Sequence, residues 1–428
     1  MPLPITMREY NPQTQIVAHT WRGETLDITS SLFSWQRQKL LTSAPGTFTL
    51  ALTAASDAKG HTLADRLRAM DTIEIRASRN GTRIDGELPI IMRGFIDAAE
   101  LGTAMGSTGG PSEPRVIVSG RDYTKLMLEW QILYLFTQNT LAAKGNLKEI
   151  LNNYAGFGLY GNFHLPIVGA PINTYMQEAF RNLMGPLQKG LHVYPYPELP
   201  ELGTRFTFPD LILNSFNIAS YTGSYWNLFQ YLSSPPFGEL FVIDEEAGPV
   251  LIGRGTAYQD IQGRTPYPGT KLDVTSEIES VQTDQTNRTD ADVITYFLTW
   301  AANAQIVGPS SIPVVIPGFQ NGILTEKAAL YGIRPLMLDT PWLSMTDPAI
   351  LQHASTLNKW LVDVMGDNEA WWQGTIACHG SEDYRIGTYA REPKTGRVYY
   401  VAGITDNYNY EGNRWDATLQ VVRGREGL

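Results

Sequence analysis

The sequence predicts an α+β, β-rich fold in which strand modules at the two ends of the chain enclose helical and mixed segments. Three observations carry this. Apolar and polar residues alternate with a period of two near the start, as in Thr47-Phe48-Thr49-Leu50-Ala51-Leu52, the mark of a half-buried strand, and the chain returns to strands near its end. The middle of the chain switches to helical spacing. A short pattern near the start also recurs near the end.

Taken in order, Thr47–Leu52 and Thr72–Ala77 read as strands, and Asn80-Gly81 after them predicts a tight hairpin. Leu63–Leu67 reads as a helical turn between them, and Ile90–Ile96 and Arg115–Val118 as two more strands. Gly102–Pro114, rich in Gly, Ser, Thr and Pro, reads as a loop. From Tyr123 the pattern becomes helical. Asn146 with Glu149 and Thr174 with Gln177 fit capping boxes, the second opening a helix with Met176, Ala179, Phe180 and Leu183 on one face and Gly185 as its stop. After Pro186, Pro195, Pro197 and Pro200, a third helix carries Tyr225, Leu228, Phe229 and Leu232 and ends at Ser233-Ser234-Pro235-Pro236. Glu239–Asp244 and Val250–Arg254 predict a hairpin around Glu245–Pro249, and Ala302–Gly322 a loop. Asp347 and Pro348 open a last helix whose buried stripe is Ile350, Leu351, Ala354, Leu357, Leu361 and Val364, closed by Gly366. Trp372–Val422 returns to strands.

The internal repeat sets Gly94-Phe95-Ile96-Asp97 with Gly120-Arg121-Asp122 against Gly403-Ile404-Thr405-Asp406 with Gly424-Arg425-Glu426. Each copy follows a hairpin, near Asn80-Gly81 in the first and Lys394-Thr395-Gly396 in the second. The expected boundaries are a β-module over 1–125, a helical and mixed domain over 126–235, the first part of a second β-rich domain over 236–325, a helical insertion over 326–370 and return strands over 371–428. Two like modules per chain have a consequence for symmetry: three chains would present six of them and so match a six-fold partner.

Composition narrows the function. With 43% hydrophobic and 18% charged residues the 428-residue chain is a folded protein with ample core. Its net charge is −10, whereas a protein gripping nucleic acid through phosphates carries a basic excess. Its 21 Tyr, 10 Trp and 15 Phe suit strands and subunit interfaces. Cys378 is the single cysteine, so an internal disulfide and a cysteine-rich zinc site are excluded. Met1–Tyr10 lacks the pattern of a signal peptide, and Leu126–Phe136, broken by Glu129 and Gln131, is too short for a membrane span of about 20 residues.

No catalytic signature emerges. Gly156–Gly161 matches G-x-G-x-x-G, but a helix pattern precedes it where a dinucleotide site needs a strand. Cys378-His379 with Glu382 and Asp383 would need further ligands, and neighbours on a strand point to opposite faces. Asp244-Glu245-Glu246 reads as a solvated acidic turn, and Asp284, Asp290 and Asp292 lack the glycine and terminal glutamate of a calcium loop. No catalytic, cofactor or metal residue is therefore assigned. The repeat residues Gly94, Asp97, Gly120, Arg121, Asp122, Gly403, Asp406, Gly424, Arg425 and Glu426 are the candidate interface positions.

These stretches bear a family resemblance. Ser43–Leu52, Asp71–Ile75, Arg93–Asp97, Val118–Leu126, Trp226–Phe229, Pro236–Phe241, Leu251–Arg254 and Gly387–Gly424 occur in the order found in baseplate hub proteins of contractile-tailed bacteriophages, the central hub type that carries the spike. The chain resembles that family over nearly its whole length. The resemblance implies two tail-tube-like β-barrel domains per chain and a homotrimer forming a pseudo-six-fold ring. That ring would join the tail tube protein to the central spike protein, beside other baseplate and tape-measure proteins. It also implies a place in the virion's tail baseplate after synthesis in the host cytoplasm, and a channel through which genomic DNA passes without specific binding. An acidic lumen would suit such passage. The alternatives are a cell-wall glycan hydrolase of the tail tip, with two carboxyls as acid and base, and the hub part of a type VI secretion spike.

Overall fold

The computed structural model describes residues 10–104 (save 57 and 59), 113–132, 170–191, 200–213 (save 210 and 211), 223–265, 272, 274–301, 323–343 and 349–426. The chain opens with β1 (Gln13–His19), β2 (Thr25–Asp27), β3 (Leu32–Leu40) and β4 (Thr47–Thr53), then the turn of helix α1 (Leu63–Arg66). β5 (Thr72–Ser78), β6 (Ile90–Ala104) and β7 (Glu113–Asp122) follow, and α2 (Thr124–Glu129) leads out. The middle holds β8 (Gln131–Ile132), β9 (Ala170–Pro171), α3 (Ile172–Leu191), β10 (Gly203–Thr207), β11 (Ile212–Leu213), β12 (Gly223–Ser224) and α4 (Tyr225–Ser233). Next come β13 (Gly238–Glu245), β14 (Gly248–Gly255), β15 (Val274–Glu277), β16 (Thr283–Asn287) and β17 (Tyr296–Ala301). Helix α5 (Thr325–Tyr331), β18 (Pro335–Thr340) and helix α6 (Ile350–Met365) precede the closing strands β19 (Trp372–His379), β20 (Tyr389–Arg391), β21 (Val398–Asn409) and β22 (Arg414–Arg425).

Thirteen strands from both ends of the chain form one sheet, ordered β16-β19-β22-β21-β3-β4-β7-β6-β5-β1-β2, with β20 and β15 branching from β21. Within it a five-strand unit is used twice. In the first half the pairing runs β3·β4·β7·β6·β5; in the second it runs β16·β19·β22·β21·β20, the same order along the chain and antiparallel at every step. The bulges match as well. Asp97 is the extra residue of β6 between the pairs Ile96↔Gly120 and Ala98↔Ser119, and Ala402 is that of β21 between Val401↔Val421 and Gly403↔Gln420. The two units meet where β21 pairs antiparallel with β3.

Three principal cores fill the molecule. One lies under the first unit, with Trp35, Phe48, Leu50, Ile73, Ile75 and Val118, and takes in Tyr408 and Trp415 from β21 and β22. A second lies under the other unit, with Ile376, Cys378, Tyr399, Val401, Leu419 and Val421. The third is the helical middle, where Met176, Phe180, Leu228, Phe229, Trp342, Leu357 and Trp360 pack together. Each fully buried large side chain contributes about 1.5–3 kcal/mol by leaving water. The aromatic abundance thus serves interior packing: Trp35, Trp342, Trp360 and Trp415 are all fully buried.

Several local expectations change. The tight hairpin turn is at Asp85-Gly86, both left-handed, between the mutually bonded Ile84 and Glu87; Asn80-Gly81 sits at the base of that excursion. Asn80 instead spends its side chain on Ser78 and Thr82, the local bonding that draws Asn into turns. Residues 102–104 and 113–114, expected in a loop, are paired strand; the rest of that loop lies outside the described residues. Helix α3 starts at Ile172, before Thr174, and continues past Gly185 to Leu191, so the glycine is no stop. The hairpin β13–β14 turns over Glu246-Ala247 and joins β10 in a separate three-stranded sheet, so it does not open the second strand unit. Only β15 and β16 of the 236–325 segment enter the large sheet. In α6 the stripe Ala354, Leu357, Leu361 and Val364 is buried with Asn358 and Trp360, but Leu351 is 59% exposed. The Asn146–Glu149 box, the G-x-G-x-x-G run, the loop 302–322 and Asp347-Pro348 lie outside the described residues.

Candidate functional site

The described residues form no group of three or more metal-ligating side chains, and no helix among them is long and apolar enough to cross a membrane. Their most unusual chemistry is a seam of buried charge where the two strand units and the β13–β14 hairpin meet. Arg37 of β3 is 6% exposed and pairs at 2.6 Å with Asp406 of β21, which has no exposure. Asp406 also accepts a hydrogen bond from the Trp415 indole at 2.9 Å, and Arg37 donates to the Ile91 carbonyl. Lys39, two residues along β3 and so on the same face, reaches Asp244 at 2.5 Å and Asp122 at 3.6 Å. Burial raises the Asp122 carboxyl above the ordinary range, with Lys39 opposing the shift.

The acidic turn is solvated at its tip, where Glu246 and Ala247 are exposed, while its base is drawn into the seam. Asp244 is 5% exposed. Arg93 donates to the carbonyls of Glu245 and Glu246. The Glu246 carboxylate accepts from the Ile90 amide at 2.8 Å and from Arg76 at 3.0 Å. Buried cations of the first unit need partners, and this turn supplies them, which holds the hairpin against β5 and β6. Glu74 completes the group, pairing with Arg93 at 2.7 Å. Burial alone would raise the Glu74 carboxyl; the Arg93 hydrogen bond and the Arg93 and Arg76 charges outweigh it and hold it below the usual range.

The repeat residues divide between packing and charge. Gly120 faces Phe48 across the β4–β7 ladder, and a side chain there would strike the Phe48 ring and the Phe95 carbonyl. Gly424 lies under the Tyr399 ring in the same manner. Gly94 approaches the Arg121 carbonyl, and Gly403 approaches Leu40. Asp97 pairs with Arg121 at 2.7 Å and Lys125 at 2.8 Å at the partly exposed bulge. Burial raises its carboxyl, but these cations outweigh it and lower the pKa. Arg425 donates to Gln259 at 2.9 Å, and Glu426 is exposed. The motifs fall on equivalent strands but not at equivalent heights. Gly94 faces Asp122, whereas Gly403 faces Gln420, short of Gly424. The duplication is thus in the strand topology, and the Gly-x-x-Asp match is out of step with it.

The other sequence candidates are not assembled into a catalytic group. Cys378 is fully buried and its thiol is pushed up to about 12 by burial. Glu382 bonds Ser78 and the Arg79 amide, and Asp383 lies 3.7 Å from Arg79. Asp284, Asp290 and Asp292 serve Thr286, Arg334 and Gln373 separately. A polar cleft of about 460 Å³ is lined by Arg79, Ser276, Glu277, Glu279, Asp383 and Arg391. The buried seam was not found from sequence. Its one signal was the set of cations Arg37, Lys39, Arg76 and Arg93 within strands that otherwise alternate cleanly.

The fold has counterparts among solved structures. It superposes on the tail protein of Neisseria meningitidis MC58 with a TM-score of 0.54 and 11% identity, covering 96% of this chain and 97% of that one. It also superposes on the 43 kDa tail protein of prophage MuSo2 from Shewanella oneidensis with a TM-score of 0.50 and 12% identity, covering 96% and 97%. The chain therefore shares the fold of these two tail proteins nearly end to end. No family model and no curated protein matches its sequence.

Proposed function

We propose that this chain is a structural hub of a phage-type tail baseplate. Three copies form a ring whose six strand units meet a six-fold tail tube, and whose inserted segments meet a three-fold central spike and its baseplate neighbours. The observation that carries this reading is the five-strand unit used twice in one chain. It gives each copy two similar docking units, so a trimer offers six. The fold shared with two tail proteins supports it. The net charge of −10 supports a channel that lets DNA pass without holding it. The role is one of shape and symmetry, with no chemical step.

Light scattering of the purified chain with and without its tail tube partner tests this. The expected mass is three times the 47.6 kDa chain. A mass of one chain at all concentrations, with tube protein present, contradicts it.

A further inference from the structure

Among the described residues, the outer edge of β16 and the far half of β6 carry no strand partner, and they are equivalent to the two edges already joined inside the chain. Within the chain, β21 offers one edge first to β20, over Val398–Tyr400, and then to β3, over Gly403–Asn409. Its counterpart β6 offers the same edge to β5 as far as Phe95, and from Ala98 to Ala104 that edge carries no strand among the described residues. β16, the counterpart of β3, ends the sheet among the described residues, where it pairs with β19 alone. Four of its five residues are exposed. The Thr286 amide is met by the Asp284 side chain at 2.9 Å, a local substitute for a strand partner. On the open half of β6, Leu101 is 62% exposed. Open edges of this kind template pairing with another chain.

We propose that β16 of one copy pairs antiparallel with the Ala98–Ala104 half of β6 in a second copy, reproducing between chains the β3·β21 junction inside each chain. This deepens the ring reading above and rests on it. The register follows from the matched bulges. Gly120 corresponds to Val421, so Phe48 opposite the first corresponds to Gly374 opposite the second. Arg37 opposite Phe48 then corresponds to Thr286 opposite Gly374. Leu101 stands as far beyond the Asp97 bulge as Asp406 stands beyond the Ala402 bulge. Because Arg37 pairs with Asp406 in the chain, Thr286 pairs with Leu101 of the next copy, Asn287 with Glu100 and Gln285 with Gly102. The contact joins two different surfaces, so it propagates head to tail, and a rotation of one third of a turn per copy closes it as the proposed ring.

A chain carrying Leu101→Cys and Thr286→Cys, treated with a mild oxidant or a short bismaleimide, tests the register. Cys378 stays silent because its thiol is fully buried. The expected result on a denaturing gel is a ladder of linked dimer and trimer that stops at trimer, absent from either single variant. Leu101→Cys with Gln285→Cys, one residue out of step and on the opposite face, should link poorly. Glu100→Cys with Asn287→Cys is a second in-register pair should the first fold badly. A trimeric mass with no linkage in either pair overturns the edge pairing while leaving the ring reading intact. A monomeric mass with no linkage overturns both, and linkage that stops at dimer contradicts head-to-tail closure.

Discussion

Arg37 and Asp406 join the two strand units through an ion pair withdrawn from water. Removing one partner leaves the other charge buried, so Asp406→Ala should cost about 3–5 kcal/mol. Replacing both by apolar residues, Arg37→Met with Asp406→Leu, should recover much of that loss in urea unfolding. A double-variant loss equal to the sum of the losses in Arg37→Met and Asp406→Leu alone would show that the pair is not coupled. Glu74 carries a pH signature. Its folded pKa is lowered by Arg93 and Arg76 against the pull of burial. Its stabilisation is thus present above the ordinary glutamate pKa and lost as pH falls through the folded value. Glu74→Gln should cost about 1.5–3 kcal/mol at neutral pH, and thermal unfolding should show the gap to wild type narrowing in acid. A gap that stays constant with pH would refute that assignment. At this scale the sequence was least legible: Asp122 and Asp406 stood out as repeat members, but nothing local says that their partners lie on β3. Both pairs join residues far apart in sequence, and only folding sets their distance.

Elements were more legible, because periodicity reports burial directly. β4, β5 and β7 appear where alternation places them, and α4 buries Tyr225, Leu228, Phe229 and Leu232 as its spacing requires. Turns were less so. Asn80-Gly81 and Asp85-Gly86 are both good left-handed turn candidates, and the selection between them comes from the register of β5 on β6, which places Ile90 opposite Arg76. The acidic turn is exposed at Glu246 as Asp-Glu-Glu suggests, but nothing local tells that its base bonds Lys39, Arg76 and Arg93, which lie elsewhere in the chain. Arg93 is the main link between that turn and the first unit, bonding both turn carbonyls and Glu74. Arg93→Ala should raise hydrogen exchange at the β13–β14 turn while leaving β21 and β22 protected. Uniform loss of protection across the sheet would mean that Arg93 supports the whole fold and not this contact.

At the scale of the molecule, the sequence pointed to a duplicated β-module through a motif that turns out to be out of step, although the strand topology does repeat. The glycines of that motif persist for a packing reason: Gly120 and Gly424 each lie beneath an aromatic ring of a neighbouring strand, a solution two similar sheets reach at different heights. What single-chain periodicity does not encode is where a sheet ends. The edges of β6 beyond Phe95 and of β16, unpaired among the described residues, become visible only when the two units are aligned strand by strand. If those edges meet between copies, the junction between strand units repeats from chain to chain around the ring. The most direct test is electron microscopy of the purified assembly viewed down its axis. A ring of the proposed kind shows three copies arranged with six similar lobes around an open centre. Particles with two-fold symmetry, or threefold particles with only three lobes at the level of the strand units, would contradict it.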